Sequence, residues 1–414
     1  MNNPPSSLSS PTPPPPPNLT RRTRIVCISD THNSTVKLPK GDVLVHAGDL
    51  TNQGSYSELS KSIRWLERAD FEAKIVIAGN HDITLDHDFY SQHGQSFHNQ
   101  NPQDPAKCLA LLTSSPTITY LCHNSATIQL KDPKGPRTEF TVFGSPCSPK
   151  NGLWAFGYDQ SAQSSEPTDT QAVTRSGAVA REIWGTIPLN IDILVTHTPP
   201  LNHCDESSVA SDHLGCEELL TVLSRARPRL HICGHIHSGR GAERVRWKAG
   251  NPDRRGYVAY GEAAVERWED PSPDSRSAKI SLVDLTARGG NRPLDFHDLE
   301  RVPGVSCSPS LLPAGTLHQG EVPTDRDGRD RDSGLSRTSK TGADLNGGLA
   351  IDTPSIIGDS LNPTRYDRTA SVGGMGRRET CVVNCAVVAT NWPHVRGKHL
   401  NKPIVVDLDL PVWV

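Results

Sequence analysis

The stretch Lys74-Ile75-Val76-Ile77-Ala78-Gly79-Asn80-His81-Asp82 decides how the chain folds. Its first five residues form a short apolar run, rich in β-branched side chains and too short for a helix, which reads as a strand buried on both faces. Gly79 then allows a close backbone approach, and an amide, an imidazole and a carboxylate follow at once. The same arrangement recurs along the chain. Upstream, Arg24 to Ser29 runs into Asp30-Thr31-His32-Asn33, and Val43 to Ala47 into Gly48-Asp49. Downstream, Ile191 to Thr196 runs into His197-Thr198-Pro199-Pro200, and Leu230 to Cys233 into Gly234-His235-Ile236-His237. Segments with helical spacing lie between, carrying Leu59, Ile63 and Leu66 in one case and Leu219, Leu220 and Leu223 in another. Strands alternating with helices predict an α/β layered domain. In such sheets ligands gather at the carboxyl ends of strands, where each of these polar groups falls.

Asp, Asn and neutral His are oxygen and nitrogen donors of intermediate hardness, suited to Mn, Fe, Zn or similar ions, and no Cys joins the set. A thiolate or redox site is therefore not expected. Any single block is weak, since an isolated Asp-x-His is ordinarily a turn. Five blocks in this order, each after an apolar strand, point to a metal site.

Those blocks resemble the signature of the calcineurin-like metallophosphoesterase superfamily, which runs Asp-x-His, Gly-Asp, Gly-Asn-His-Asp/Glu, a single His, then Gly-His-x-His. A closer resemblance is to the metallophosphoesterase domain-containing group, carried by Phe143-Gly144-Ser145-Pro146, Trp154-Ala155-Phe156, Thr196-His197 with Pro199-Pro200, and Pro403-Ile404-Val405-Val406-Asp407-Leu408. It covers residues 22–265 and 377–412. The resemblance implies a four-layer αββα sandwich of two mixed β-sheets flanked by helices. By motif it places Asp30, His32 and His237 on a first ion and Asn80, His197 and His235 on a second, with Asp49 bridging. The implied cofactors are two divalent or mixed-valence ions, manganese first, with iron or zinc as alternatives. One departure is Thr198, where the group usually has Gly, so a side chain there is expected to narrow substrate access.

Two cations roughly 3.5–4 Å apart lower the pKa of a bridging water and clamp phosphate oxygens for in-line attack, so no protein nucleophile is needed. His81, next to Asn80 but outside the implied ligand set, is expected to protonate the leaving group or stabilise developing charge, with Asp82 orienting it. His46 and His231 lie inside strands and read as packing or supporting histidines. His203 and Asp205 read equally well as pocket lining or as a solvated loop, and Cys381 and Cys385 as packing residues.

Outside the blocks the chain thins. It has 414 residues, of which 35% are hydrophobic, with 34 Pro and 33 Gly, so a sizeable part joins no core. The expected division is a Pro-rich disordered tail over 1–21 (with the run Pro13 to Pro17), a metallophosphoesterase domain over 22–268, a mostly disordered insertion over 269–376, and C-terminal strands over 377–414 that complete the domain. Within the insertion Asp325 to Asp332 alternates in charge, while Lys279 to Leu285 reads as one strand. Cys381 to Val388 and Ile404 to Leu408 read as strands too. The net charge of −3 provides no positive field for a nucleic-acid backbone, so duplex binding is not expected. No apolar run approaches the roughly 20 residues of a bilayer span. Ten scattered Cys and no apolar leader predict a reduced, cytoplasmic protein. The expected function is a metal-dependent phosphoesterase, a phosphodiesterase ahead of a phosphomonoesterase, acting on small phosphodiesters or (cyclic) nucleotides. The alternative is a weakly active nucleotide-binding or scaffolding protein that retains the fold, against which the complete set of seven competent ligands argues.

Overall fold

A computed structural model of the protein describes residues 19–159, 170–207, 212–248, 261–270, 281–288, 293–294, 377–389 and 397–413. The chain divides into two units, Met1–Leu299 with Thr364–Val414, and Glu300–Pro363. All the described residues belong to the first. In chain order its elements begin β1 (Thr20–Ile28), β2 (Val43–Ala47), α1 (Tyr56–Glu67), β3 (Ala73–Ile77), α2 (His87–His98), α3 (Pro105–Thr113), β4 (Ile118–Leu121), β5 (Asn124–Gln129) and β6 (Glu139–Ser145). They continue with β7 (Ser148–Pro149), β8 (Gly157–Tyr158), α4 (Thr170–Gly185), β9 (Ile193–Thr196), α5 (Glu217–Ala226), β10 (Leu230–Cys233), β11 (Gly241–Trp247), β12 (Glu262–Trp268), β13 (Ser281–Asp284), β14 (Glu379–Asn384) and β15 (Ile404–Pro411).

Two mixed sheets result. One has the order β13-β15-β1-β2-β3-β4, the other β12-β11-β14-β10-β9-β6-β5. In the first, β1 to β4 are parallel and β15 lies antiparallel to β1. In the second, β6, β9, β10 and β14 are parallel, with β5 and β11 antiparallel beside them. Successive strand residues face opposite ways, and both faces of each sheet are covered. Ile25, Val43, Val45 and Ile75 meet Val142, Ile193, Val195 and Ile232 between the sheets. On the outer face of the first sheet, Leu59, Ile63 and Leu66 of α1 and Leu112 of α3 cover Val26, Leu44 and Val76. On the outer face of the second, Trp184 of α4 and Leu219 and Leu223 of α5 cover Leu194 and Cys233. This is the αββα sandwich, and it explains why the central strands read as unbroken apolar runs. Each such side chain, fully buried, contributes about 1.5–3 kcal/mol.

Local chemistry sets the helix ends. Ser55 and Glu58 form a reciprocal capping box at the start of α1, and Asp104 caps α3 with Pro105 at its first turn.

The expected strands are present with shifted edges. β1 starts at Thr20, inside the stretch read as tail, and β9 starts at Ile193 rather than Ile191. β13 forms within 269–376, where Val283, Leu285 and Leu294 join the core between the sheets. β14 lies between β10 and β11, and β15 beside β1. Residues 1–18, with the run Pro13 to Pro17, and Asp325 to Asp332 lie outside the described residues. Several elements went unread: β5 and β12 expose most of their side chains and carry little apolar signal, and α2 has a weak apolar stripe, with Tyr90 and Gly94 its buried residues.

Candidate metal centre

The five motif blocks converge where the carboxyl ends of β1, β2, β3, β9 and β10 meet. The chain leaves these strands sharply: Asp30, His32, Asp49 and His235 have φ of 50°, 42°, 56° and 66°. Left-handed backbone costs a non-Gly residue of order 1–2 kcal/mol, so four such residues in one place need support. Hydrogen bonds supply it. Asp30 N–H donates to Gly48 O at 2.9 Å and His32 N–H to Asp49 O at 3.1 Å, stitching the first two loops together. Behind the site the chain beyond β14 crosses to the first sheet, with Ser29 N–H donating to Cys385 O at 3.1 Å and Val387 N–H to Ser29 O at 2.9 Å. Gly79 and Gly234 are small for a reason: a Cβ on the first would run into Asp49, and on the second into Asp30 and Ser29.

The side chains of all seven expected ligands face one another. His237 Nε2 lies 3.4 Å from Asp30 Oδ1 and 3.3 Å from His32 Nε2. Asp49 reaches both ways, with Oδ2 3.6 Å from His32 Nε2 and Oδ1 3.4 Å from His197 Nε2. Asn80 Oδ1 is 2.9 Å from His197 Nε2, and the His235 ring sits edge-on to His197 with centroids 4.9 Å apart. Two donors on one ion at about 2.1 Å can be no more than about 4.2 Å apart, and the contacts among Asp30, His32, Asp49, Asn80, His197 and His237 satisfy that limit, while His235 is placed beside them by its ring contact with His197. Asp30, His32 and His237 form one group able to hold an ion, and Asp30, Asp49 and His197 another.

Asp30 and Asp49 are almost fully buried, where an uncompensated carboxylate is costly. Burial pushes both upward in pKa, but His237 beside Asp30 and His197 beside Asp49 hold both well below the usual carboxylate range. Burial lowers His32 to about 4 and His235 to about 3, so both rings are neutral and free to ligate at pH 7. His197 is also buried, yet Asp49 holds it at about 9. A cation competes with that proton for the same nitrogen.

His81 lies close enough to ligate: its donor atom, one from His32 and one from Asp49 are mutually within 4.8 Å. Its Nδ1–H donates to Asn52 O at 2.9 Å. That is the orienting contact expected from Asp82, and Asp82 does not make it. The Asp82 carboxylate is enclosed and accepts from Leu50 N–H, Thr51 N–H, Thr51 Oγ1 and Gly79 N–H at 2.7–3.1 Å. Burial and the neighbouring Asp49 charge raise it to about 6. It binds the loops that carry Asp49 and Asn80 together rather than facing a substrate.

Thr198 is completely buried, so it does not stand at the substrate opening as expected. His46 and His231 hold Thr31 and Thr196 at 3.0 and 2.8 Å, both inside strands. His203 and Asp205 neither line the site nor form a solvated loop: His203 bridges Glu243 and Glu262 at 3.0 Å each, and Asp205 accepts from Asn202 N–H, Gly215 N–H and His213. Two neighbours of the site went unassigned in the sequence. Lys398 Nζ donates to His32 O at 2.6 Å, and Trp154 stacks on His81 with centroids 3.8 Å apart. Nothing local marks Lys398, because its contact spans most of the chain.

A family profile described as calcineurin-like phosphoesterase matches residues 23–239, over half the chain and all seven ligand positions. The chain belongs to the calcineurin-like phosphoesterase family. This family uses dinuclear metal centres, and the candidate ligand groups above lie side by side. The chain is 37% identical over 229 residues to metallophosphoesterase domain-containing protein 1 of Homo sapiens, covering 53% of this chain and 62% of that protein. It is 40% identical over 247 residues to "Probable rhamnogalacturonate lyase C" of Emericella nidulans, covering 59% of this chain and 20% of that one. The lyase name thus attaches to a protein of which this chain spans one fifth. A solved purple acid phosphatase from yellow lupin aligns at 13% identity and a TM-score of 0.30, covering 56% of this chain and 40% of that chain. Among the described residues no helix is long and apolar enough to cross a membrane, and the nine cysteines are all free.

Proposed function

We propose that this protein hydrolyses phosphoesters with two divalent ions, acting on small phosphodiesters, with cyclic nucleotides the first substrates to try and manganese the first metal. The observation that carries the reading is the position of Asp49, whose two oxygens face His32 of one ion group and His197 of the other. A carboxylate so placed can bridge. Asp30, His32 and His237 would hold one ion, and Asn80, His197 and His235 the other. When bound, the ion pair supplies Lewis acidity to the phosphoryl oxygens and an activated water for in-line displacement. The chain's own groups do the rest. His81, pinned through Nδ1 to Asn52 O, carries its exchangeable proton on Nε2 and gives it to the leaving oxygen, the help an alcohol leaving group needs most. Asp82 acts indirectly, by fixing the Asp49 and Asn80 loops.

The test is exhaustive chelation followed by Mn addition. The stripped protein is expected to leave a chromogenic phosphodiester intact and to regain hydrolysis with Mn, less well with Mg alone. Full activity with a verified empty site would overturn the reading.

A further inference from the structure

The indole of Trp154 lies at the site with no role in the reading above. It lies over the His81 imidazole at 3.8 Å between centroids and 32° between planes, and Phe97 backs it at 5.5 Å. His32 meets the same imidazole edge-on at 4.8 Å. Stacking fixes the plane of a ring, and a hydrogen bond fixes its rotation within that plane. His81 has both, since its Nδ1–H is held by Asn52 O. With Nδ1 so committed, Nε2 is the ring nitrogen left for another partner.

Trp154 is itself fixed to the loop it serves. Ala155 N–H donates to Asn80 O at 3.2 Å, Phe156 N–H donates to Asp86 Oδ2 at 2.8 Å, and Ser148 N–H donates to Phe156 O at 3.1 Å. Its frame is therefore shared with the Asn80 loop, with Asp86 beyond it and with Ser148 of β7. His81 is only half-buried, and without the indole one face of its ring would lose its cover, leaving the Asn52 hydrogen bond and the edge of His32 to restrain it. An acid that samples several rotamers delivers its proton from only one of them.

We infer that Trp154 is a positioning residue for His81, holding the imidazole in the single plane from which Nε2 meets the leaving oxygen. This rests on the acid role given to His81 above. Trp154 itself touches no reacting atom.

The experiment uses the full chain, Mn-loaded, as wild type, Trp154→Ala, Trp154→Phe, His81→Ala and the Trp154→Ala/His81→Ala double variant. Each is assayed on methyl phenyl phosphate and on its activated 4-nitrophenyl analogue. Trp154→Ala is expected to lower kcat on the phenyl ester by about tenfold, with KM and metal content unchanged and a much smaller loss on the nitrophenyl ester. Trp154→Phe, which keeps a ring to stack, should recover most of the rate. Once His81 is gone, Trp154→Ala should cost less than about twofold more. A readout independent of turnover is the NMR spectrum of the His81 ring in the zinc-loaded protein: one sharp set of ring signals in wild type, signals averaged over several orientations in Trp154→Ala. Full additivity of the two substitutions, equal loss on both esters, or loss of metal from Trp154→Ala overturns the inference alone. If His81→Ala leaves phenyl ester hydrolysis intact, the acid role falls, and the inference with it.

Discussion

The two sheets make unlike contributions to one site. The first supplies every oxygen donor, Asp30, Asp49 and Asn80, together with His32. The second supplies only imidazoles, His197, His235 and His237. The contacts that join the halves cross between sheets: His237 with Asp30 at 3.4 Å, His197 with Asp49 at 3.4 Å and with Asn80 at 2.9 Å. Neither sheet holds a full coordination set. The site exists only where the sheets dock, and on the proposed reading ion binding would also clamp that docking.

The largest expected effect comes from the residue at the seam. Asp49→Ala removes the carboxylate that touches imidazoles of both sheets, so metal content and turnover should fall together, turnover by roughly 10³-fold or more. Metal analysis beside kinetics checks this, and a variant that keeps its ions would break the comparison. His81→Ala acts outside that seam. It should lower kcat by about 10²-fold while the ions stay bound, with a smaller loss for activated leaving groups. Loss of an ion from His81→Ala would instead make it a ligand.

Thermal unfolding sharpens the clamp idea. Adding Mn to stripped protein at 100 times its Kd should stabilise it by about 2.7 kcal/mol, read as a rise in Tm, and a variant lacking only second-sheet imidazoles should lose most of that rise. A weaker effect belongs to the second sheet alone. Burial lowers the pKa of His203, but Glu243 and Glu262 more than offset this and leave it raised. Its folded value thus exceeds the unfolded one of about 6.5, so the stabilisation is complete below that pH and is lost as pH climbs through the folded pKa. Tm measured from pH 6 to 8.5 should fall further in wild type than in His203→Gln. The smallest effect is expected from replacing residues 300–363 by a short linker, which should leave fold and metal content as they were. An aggregated or metal-free product would show that segment to be structural. Removing 269–376 whole is a harsher test, because β13 and its core residues go with it.

Much of the site was legible because each ligand directly follows an apolar strand, so residue type and place in the fold are written side by side. Asp30, His32, Asp49, Asn80, His197, His235 and His237 come together for that reason. Contacts set by packing were not legible. Asp82 follows His81 in sequence, yet its carboxylate turns inward to Leu50, Thr51 and Gly79, and the carbonyl of Asn52 takes the place expected for it. Trp154 and Lys398 reach the site across long sequence separations. In the fold, doubly buried strands such as Val43–Ala47 announce themselves, whereas an exposed edge strand such as Glu262–Trp268 has a single β-branched residue and no alternating apolar pattern to stand out.

The central claim is that two ions are held jointly by the two sheets, and metal counting tests it most directly. The stripped full-length protein is titrated with Mn, and bound ions per chain are measured alongside phosphodiester hydrolysis. Two ions per chain, with activity returning as the second site fills and with Asp49→Ala binding fewer, is the expected result. A chain that binds one ion or none and yet hydrolyses the ester at the full rate would contradict the account.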